Sequence, residues 1–94
     1  MNEPMRRAIL VRVNVAKQDD GVYVATSDEL PEIVLAHNSL DFIRDEIPGV
    51  IRDIVLARYG FEPLVMEIDS PESRNLAIPH WAAIPPSAVE NARR

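Results

Sequence analysis

The chain contains no cysteine, which excludes disulfides, thiolate nucleophiles and sulfur-ligated metal centres. Such a composition fits a reducing compartment, and a cytoplasmic protein is the expectation. No apolar run approaches the roughly 18 residues that a membrane-spanning helix needs. The start, MNEPMRRAILVRVNVA, sets two arginines before apolar residues in the manner of a secretory signal. Arg12 and Asn14 interrupt the stretch, however, so no signal-peptide core forms. Clustered positive charge is also missing: the net charge is −5 and the arginines are scattered. Phosphate recognition depends on clustered Lys and Arg, so DNA binding by this chain alone is not expected.

What is present fits one small domain. A chain of 94 residues cannot hold more than one core, and a domain of that size buries about 60 to 68% of its unfolded surface. Residues 8–16, AILVRVNVA, alternate with period two: Ile9, Val11, Val13 and Val15 share one face, and Leu10, Arg12, Asn14 and Ala16 the other. That is the pattern of a half-buried strand. Asp20-Gly21 then precedes a second strand-like run, VYVAT, and predicts a hairpin, because glycine accepts the positive φ such turns require. An acidic break, Ser27-Asp28-Glu29-Leu30-Pro31-Glu32, leads to a third run, IVLAH. The short connections predict an antiparallel meander.

The period changes over residues 40–59, where Ile43, Ile47, Val50, Ile51, Ile54 and Arg58 recur at helical spacing. Asn38 and Ser39 are candidate N-caps, Asp41 suits the positive end of the dipole, and Gly60 is the expected stop. Pro48-Gly49 should break a helix at a cost of about 3 kcal/mol. The apolar phase nevertheless runs through it, which predicts one kinked helix or two nearly in line. PLVMEI, residues 63–68, is a fourth strand with Pro63 at its tolerated first position. The expected domain is thus an α+β, two-layer β-β-β-α-β unit over residues 8–69. Residues 70–94, rich in proline and without a period, read as a tail, with a short helix at 87–93 after a Ser87-x-x-Glu90 capping box. Deleting that tail is expected to change association or solubility more than the folded core.

DGVYVATSDELPEI followed by NSLDFIRDEI resembles the HicB-like domain. Its members carry an aspartate-glycine turn, an aromatic-valine-alanine strand, aspartate-leucine-proline, and a polar start to one helix. The stretch Ala25 to Glu32 with the late Pro48 is closer still to a small uncharacterised bacterial family within that group. The resemblance covers residues 8–68 and implies a partial RNase-H-like fold. It further implies a non-enzymatic antitoxin that binds a small basic messenger-RNA-cleaving toxin and self-associates, and the exposed face of a sheet covered by one helix adds the expectation of a homodimer. Two departures stand out. Glu32 replaces the family's glycine, and residues 70–94 lack the pattern of a helix-turn-helix or ribbon-helix-helix DNA-binding module.

Asp28, Glu29 and Glu32 could in principle serve acid-base or metal chemistry, but a single acidic loop has no convergent partners. They read as a solvated connector stiffened by Pro31, in which Ser27 and Asp28 hydrogen-bond local backbone. A two-metal nuclease would need carboxylates from several elements. Glu67, Asp41, Asp45 and Glu46 are available, yet the first strand offers only Arg12 and Asn14. His37 and His80 are isolated, and Ser27 and Ser39 have no visible His-Asp partners. No catalytic residue, cofactor or metal site is expected. Trp81, flanked by apolar residues and prolines, either anchors a partner or packs on the domain's own open sheet. The partner-binding candidates are therefore Asp28, Glu29, Glu32 and Trp81. The alternatives are a stand-alone homo-oligomeric regulatory domain, or a metal-dependent nuclease or RNA-binding protein.

Overall fold

The computed structural model describes residues 7–68 and 78–86. Among these, the chain is a mixed α+β domain with six strands and one helix. In order they are β1 (Ile9–Val11), β2 (Asn14–Lys17), β3 (Tyr23–Thr26), β4 (Val34–His37), α1 (Leu40–Tyr59), β5 (Leu64–Ile68) and β6 (His80–Ile84). The strands form two antiparallel three-stranded sheets, ordered β2-β3-β4 and β1-β6-β5.

The meander β2-β3-β4 is as expected. Its first turn is closed by Gly21 at φ 86°, with Asp20 Oδ1 accepting from the Val22 N–H at 3.0 Å and Gln18 donating to the Val22 carbonyl at 2.7 Å. The first strand departs from expectation, because residues 9–17 are divided between the two sheets. The alternation nevertheless survives the division: Val11 and Val13 are buried, while Leu10, Arg12, Asn14 and Ala16 are exposed. Period-two patterning records which face is buried and carries no information about which neighbour a strand pairs with.

Helix α1 passes through Pro48 as one element. Proline removes the N–H that would bond the carbonyl of Arg44. The buried stripe Ile43, Ile47, Ile51 and Val55 extends to both sides of it and holds the helix to the sheets. Steps of four residues advance slightly more than one turn, so the stripe drifts around the axis. At its C-terminal end Val55 is therefore fully buried, while Val50 and Ile54 are half-buried. Ser39 is the N-cap, its Oγ accepting from the Phe42 N–H at 3.2 Å. Gly60, at φ 80°, ends the helix by donating to the Leu56 carbonyl at 2.9 Å. The helix packs on β4, β5 and β6.

The largest correction concerns the segment read as a tail. Residues 80–84 form β6, which sits between β1 and β5 with Trp81 opposite Val11 and Glu67. Trp81 and Ala83 point into the core, and Trp81 has 0% exposure. The post-helix strand β5 thus reaches β1 only through β6. The expectation that deleting residues 70–94 spares the core is corrected as well, since the deletion would remove the middle strand of a sheet and the largest core side chain. The segment carries no strand signal in its sequence because its inward residues are one tryptophan and one alanine, set among prolines. The predicted helix at 87–93 lies outside the described residues.

Trp81 Nε1 is buried without a hydrogen-bond partner among the described residues. Leaving such a donor unpaired costs about 1–3 kcal/mol, which the burial of the ring must exceed. Trp81→Ala should therefore lower stability by about 3–5 kcal/mol through loss of the ring. Trp81→Phe keeps most of the ring and removes the orphan donor, and should fall within about 1 kcal/mol of the parent. Urea unfolding of the two variants beside the parent checks both values.

Candidate functional site

The acidic connector between β3 and β4 is built by a repeat of three. Leu30 and Ile33 are fully buried, whereas Glu29 and Glu32 turn outward from the same short segment. Ser27, a buried polar residue, accepts from the Leu30 N–H at 3.3 Å, and the Leu30 carbonyl accepts from the Ile33 N–H at 2.9 Å. Those two local bonds hold the turn that places Leu30 and Ile33 beneath it. A serine-initiated turn with an apolar residue three positions on is the local reason for this shape.

Both outward carboxylates meet arginines distant in sequence. Glu29 receives three hydrogen bonds from Arg12: the backbone N–H at 2.7 Å, Nε at 3.0 Å and Nη2 at 2.8 Å. Both guanidinium bonds converge on Oε2 while Oε1 takes the backbone N–H, so each carboxylate oxygen accepts from Arg12, and the bonds are charge-assisted. Arg12 lies between β1 and β2, so the carboxylate binds where the chain passes from one sheet to the other. Burial pushes the Glu29 carboxyl up, but the Arg12 side chain, the Arg12 N–H and the arginine charge together hold it below its ordinary value. Glu32 binds Nη2 of Arg58, near the C-terminal end of α1. Its carboxyl is also lowered, first by its own backbone N–H, with burial opposing, and then by Arg58. The same contact raises Arg58, with Tyr59 contributing. Asp28 is exposed beside them.

The connector thus joins the β1–β2 junction, the core and the helix end. Its two glutamates are occupied by arginines. Among the described residues no three His, Cys, Asp or Glu side chains gather to hold a metal ion. Glu67 is bound by Arg44 through Nε at 3.2 Å and Nη2 at 3.1 Å, while Asp41, Asp45 and Glu46 are exposed along α1. His37 accepts the Ser39 N–H on Nδ1 at 2.9 Å and stacks on Phe42 with centroids 4.0 Å apart. It braces the helix entry. His80 lies on β6 opposite Ile68. Trp81, for which a partner anchor and a core residue were both open, is in the domain's own core.

A surface that the candidate residues did not include is the outer face of β1-β6-β5. Leu10, Ala82 and Met66 lie abreast there, as do Ile84 with Leu64 and His80 with Ile68. Leu10 is 44% exposed, and Leu64 and Met66 are each 49% exposed. α1 packs on the opposite face, where Trp81 and Ala83 are buried. The signal was present in PLVMEI, whose alternate residues Leu64, Met66 and Ile68 are all apolar, but it needs β6 beside it to become a surface. No family model, no curated protein and no solved structure matches the chain.

The pH dependence of stability follows from the two lowered carboxyls. A carboxyl whose folded pKa lies below its unfolded one contributes stability above the unfolded value, about 4.3 for glutamate, and loses it as pH falls through the folded value. Stability should be flat from pH 7 to about 5 and decline below about 4.3. Glu29→Gln, which weakens a charge-assisted contact, should cost about 1–2 kcal/mol at pH 7 and make that decline shallower. Chemical denaturation at a series of pH values reads both effects.

Proposed function

We propose that this chain is a HicB-like protein-interaction module, without enzymatic activity, that self-associates and sheathes a small basic ribonuclease toxin. The observation that carries the reading is the apolar outer face of β1-β6-β5. A contiguous apolar surface rimmed by polar groups marks a protein-binding site in soluble domains. The residue resemblance supports the antitoxin class, and the net charge of −5 suits a basic partner. The pairing of Glu29 and Glu32 with arginines supports a structural role for the connector, with Asp28 the member of the cluster left to face a partner. The mixed α+β architecture is compatible with a HicB-like, partial RNase-H-like domain to which β6 has been added next to β1.

Co-expression with the product of a neighbouring gene encoding a small basic ribonuclease should restore growth, and the two proteins should co-purify. Met66→Glu puts a charge in the centre of the apolar face without touching the core, and should weaken that complex on the order of tenfold or more. Retained toxicity on co-expression, or a complex indifferent to Met66→Glu, would remove the reading.

A further inference from the structure

Two three-stranded sheets have four outermost strands: β1, β5, β2 and β4. Each is a row of N–H and C=O groups open to another strand, and proteins blunt such edges with charge, proline or a covering group. β1 is blunted at its end, where the Glu29 carboxylate takes the Arg12 N–H. β2 ends in the exposed Lys17, whose ammonium lies 5.6 Å from the centre of the Tyr23 ring. β5 follows Pro63 and carries Glu67, paired with Arg44. β4 reads Val-Leu-Ala-His, without proline or carboxylate, and its outer backbone edge has no strand partner among the described residues. Val34, at 65%, is the most exposed large apolar side chain described.

We infer that β4 is the edge through which two copies of this chain associate. β4 pairs with β4 of the second copy, antiparallel about a two-fold axis, and the two meanders become one six-stranded sheet. Directly opposed residues of an antiparallel pair point to the same face. A two-fold at Leu35 sets Leu35 against Leu35 and Val34 against the small Ala36. Continuing outward, Ile33 meets His37 and Glu32 meets Asn38, so no like charges oppose each other. Moving the axis by one residue to Ala36 would set Val34 against Asn38 and Leu35 against His37, a poorer match. A closed two-fold arrangement uses both β4 edges, and the β2 edges left at either end of the combined sheet carry Lys17.

A four-residue edge falls short of the roughly 800 Å² per partner of a standard interface, so this dimer forms only at high concentration. The inference rests on the self-association in the reading above and separates it from partner binding. The edge of β4 takes the second copy, and the outer face of β1-β6-β5 stays free for the other protein.

Sedimentation of the full chain from about 10 µM to about 1 mM should show a monomer passing to a dimer. Val34→Lys with Ala36→Lys opposes lysines across the pair at two exposed positions. It should keep the chain monomeric at concentrations on the order of tenfold higher, with an unchanged circular dichroism spectrum. Met66→Glu should leave the dimer intact. Because the chain has no cysteine, Val34→Cys with Ala36→Cys introduces the only thiols, and oxidation should yield a covalent dimer. A dimer that resists the lysines, or one abolished by Met66→Glu, would overturn the assignment to β4 while leaving self-association standing. A wild-type chain still monomeric at about 1 mM would remove self-association itself, and this interface with it.

Discussion

The contact on which the architecture turns is the carboxylate of Glu29 against Arg12. Residues 9–17 follow one alternation but serve two sheets, and at the crossing the chain leaves β6 for β3. A crossing exposes a backbone N–H that neither ladder uses, and an unsatisfied N–H is costly once partly buried. Glu29 supplies the acceptor and at the same time holds the guanidinium of the same residue. One side chain therefore satisfies the junction and binds the β3–β4 connector to it. With Leu30 and Ile33 below and Glu32 reaching Arg58, the connector ties both sheets and the helix end into one unit.

Local features were legible in the residues before any coordinates. The Asp20-Gly21 turn, the cap at Asn38 or Ser39 and the Gly60 stop each depend on backbone preferences that act within a few positions, while continuity past Pro48 was signalled only by the apolar phase, against the local preference of proline. The meander was legible for the same reason. What escaped were the relations between distant residues. Glu29 and Glu32 belong to partners 17 and 26 positions away, and their spacing resembles that of any acidic loop. The division of the first strand was hidden because alternation is blind to the identity of neighbours. β6 was hidden because alanine and tryptophan on one face, between prolines, look aperiodic until β1 and β5 stand on either side.

Trp81 shows how far core formation outweighs local cost here. Its ring is fully buried on the strand between β1 and β5, while its N–H has no acceptor among the described residues. A smaller apolar residue would avoid the orphan donor and leave a cavity. The segment that supplies it also completes the outer apolar face, since Ala82 lies between Leu10 and Met66. The same five residues thus stabilise the interior through one face and complete an apolar outer surface with the other.

The pairing of β1 with β6 also has a kinetic consequence. Ile9 faces Ala83, a separation of 83 − 9 = 74 residues. Contacts this remote in sequence form slowly, because a large loop must close before they stabilise anything. During synthesis, β1 emerges first and waits for β6, while the β2-β3-β4 meander and α1 can assemble without it. Until then the core lacks its tryptophan, and the apolar side chains of β1 and β5 stand open to other chains. Among the described strands β6 leaves the ribosome last, so the sheet of β1 and β5 is completed only when it arrives.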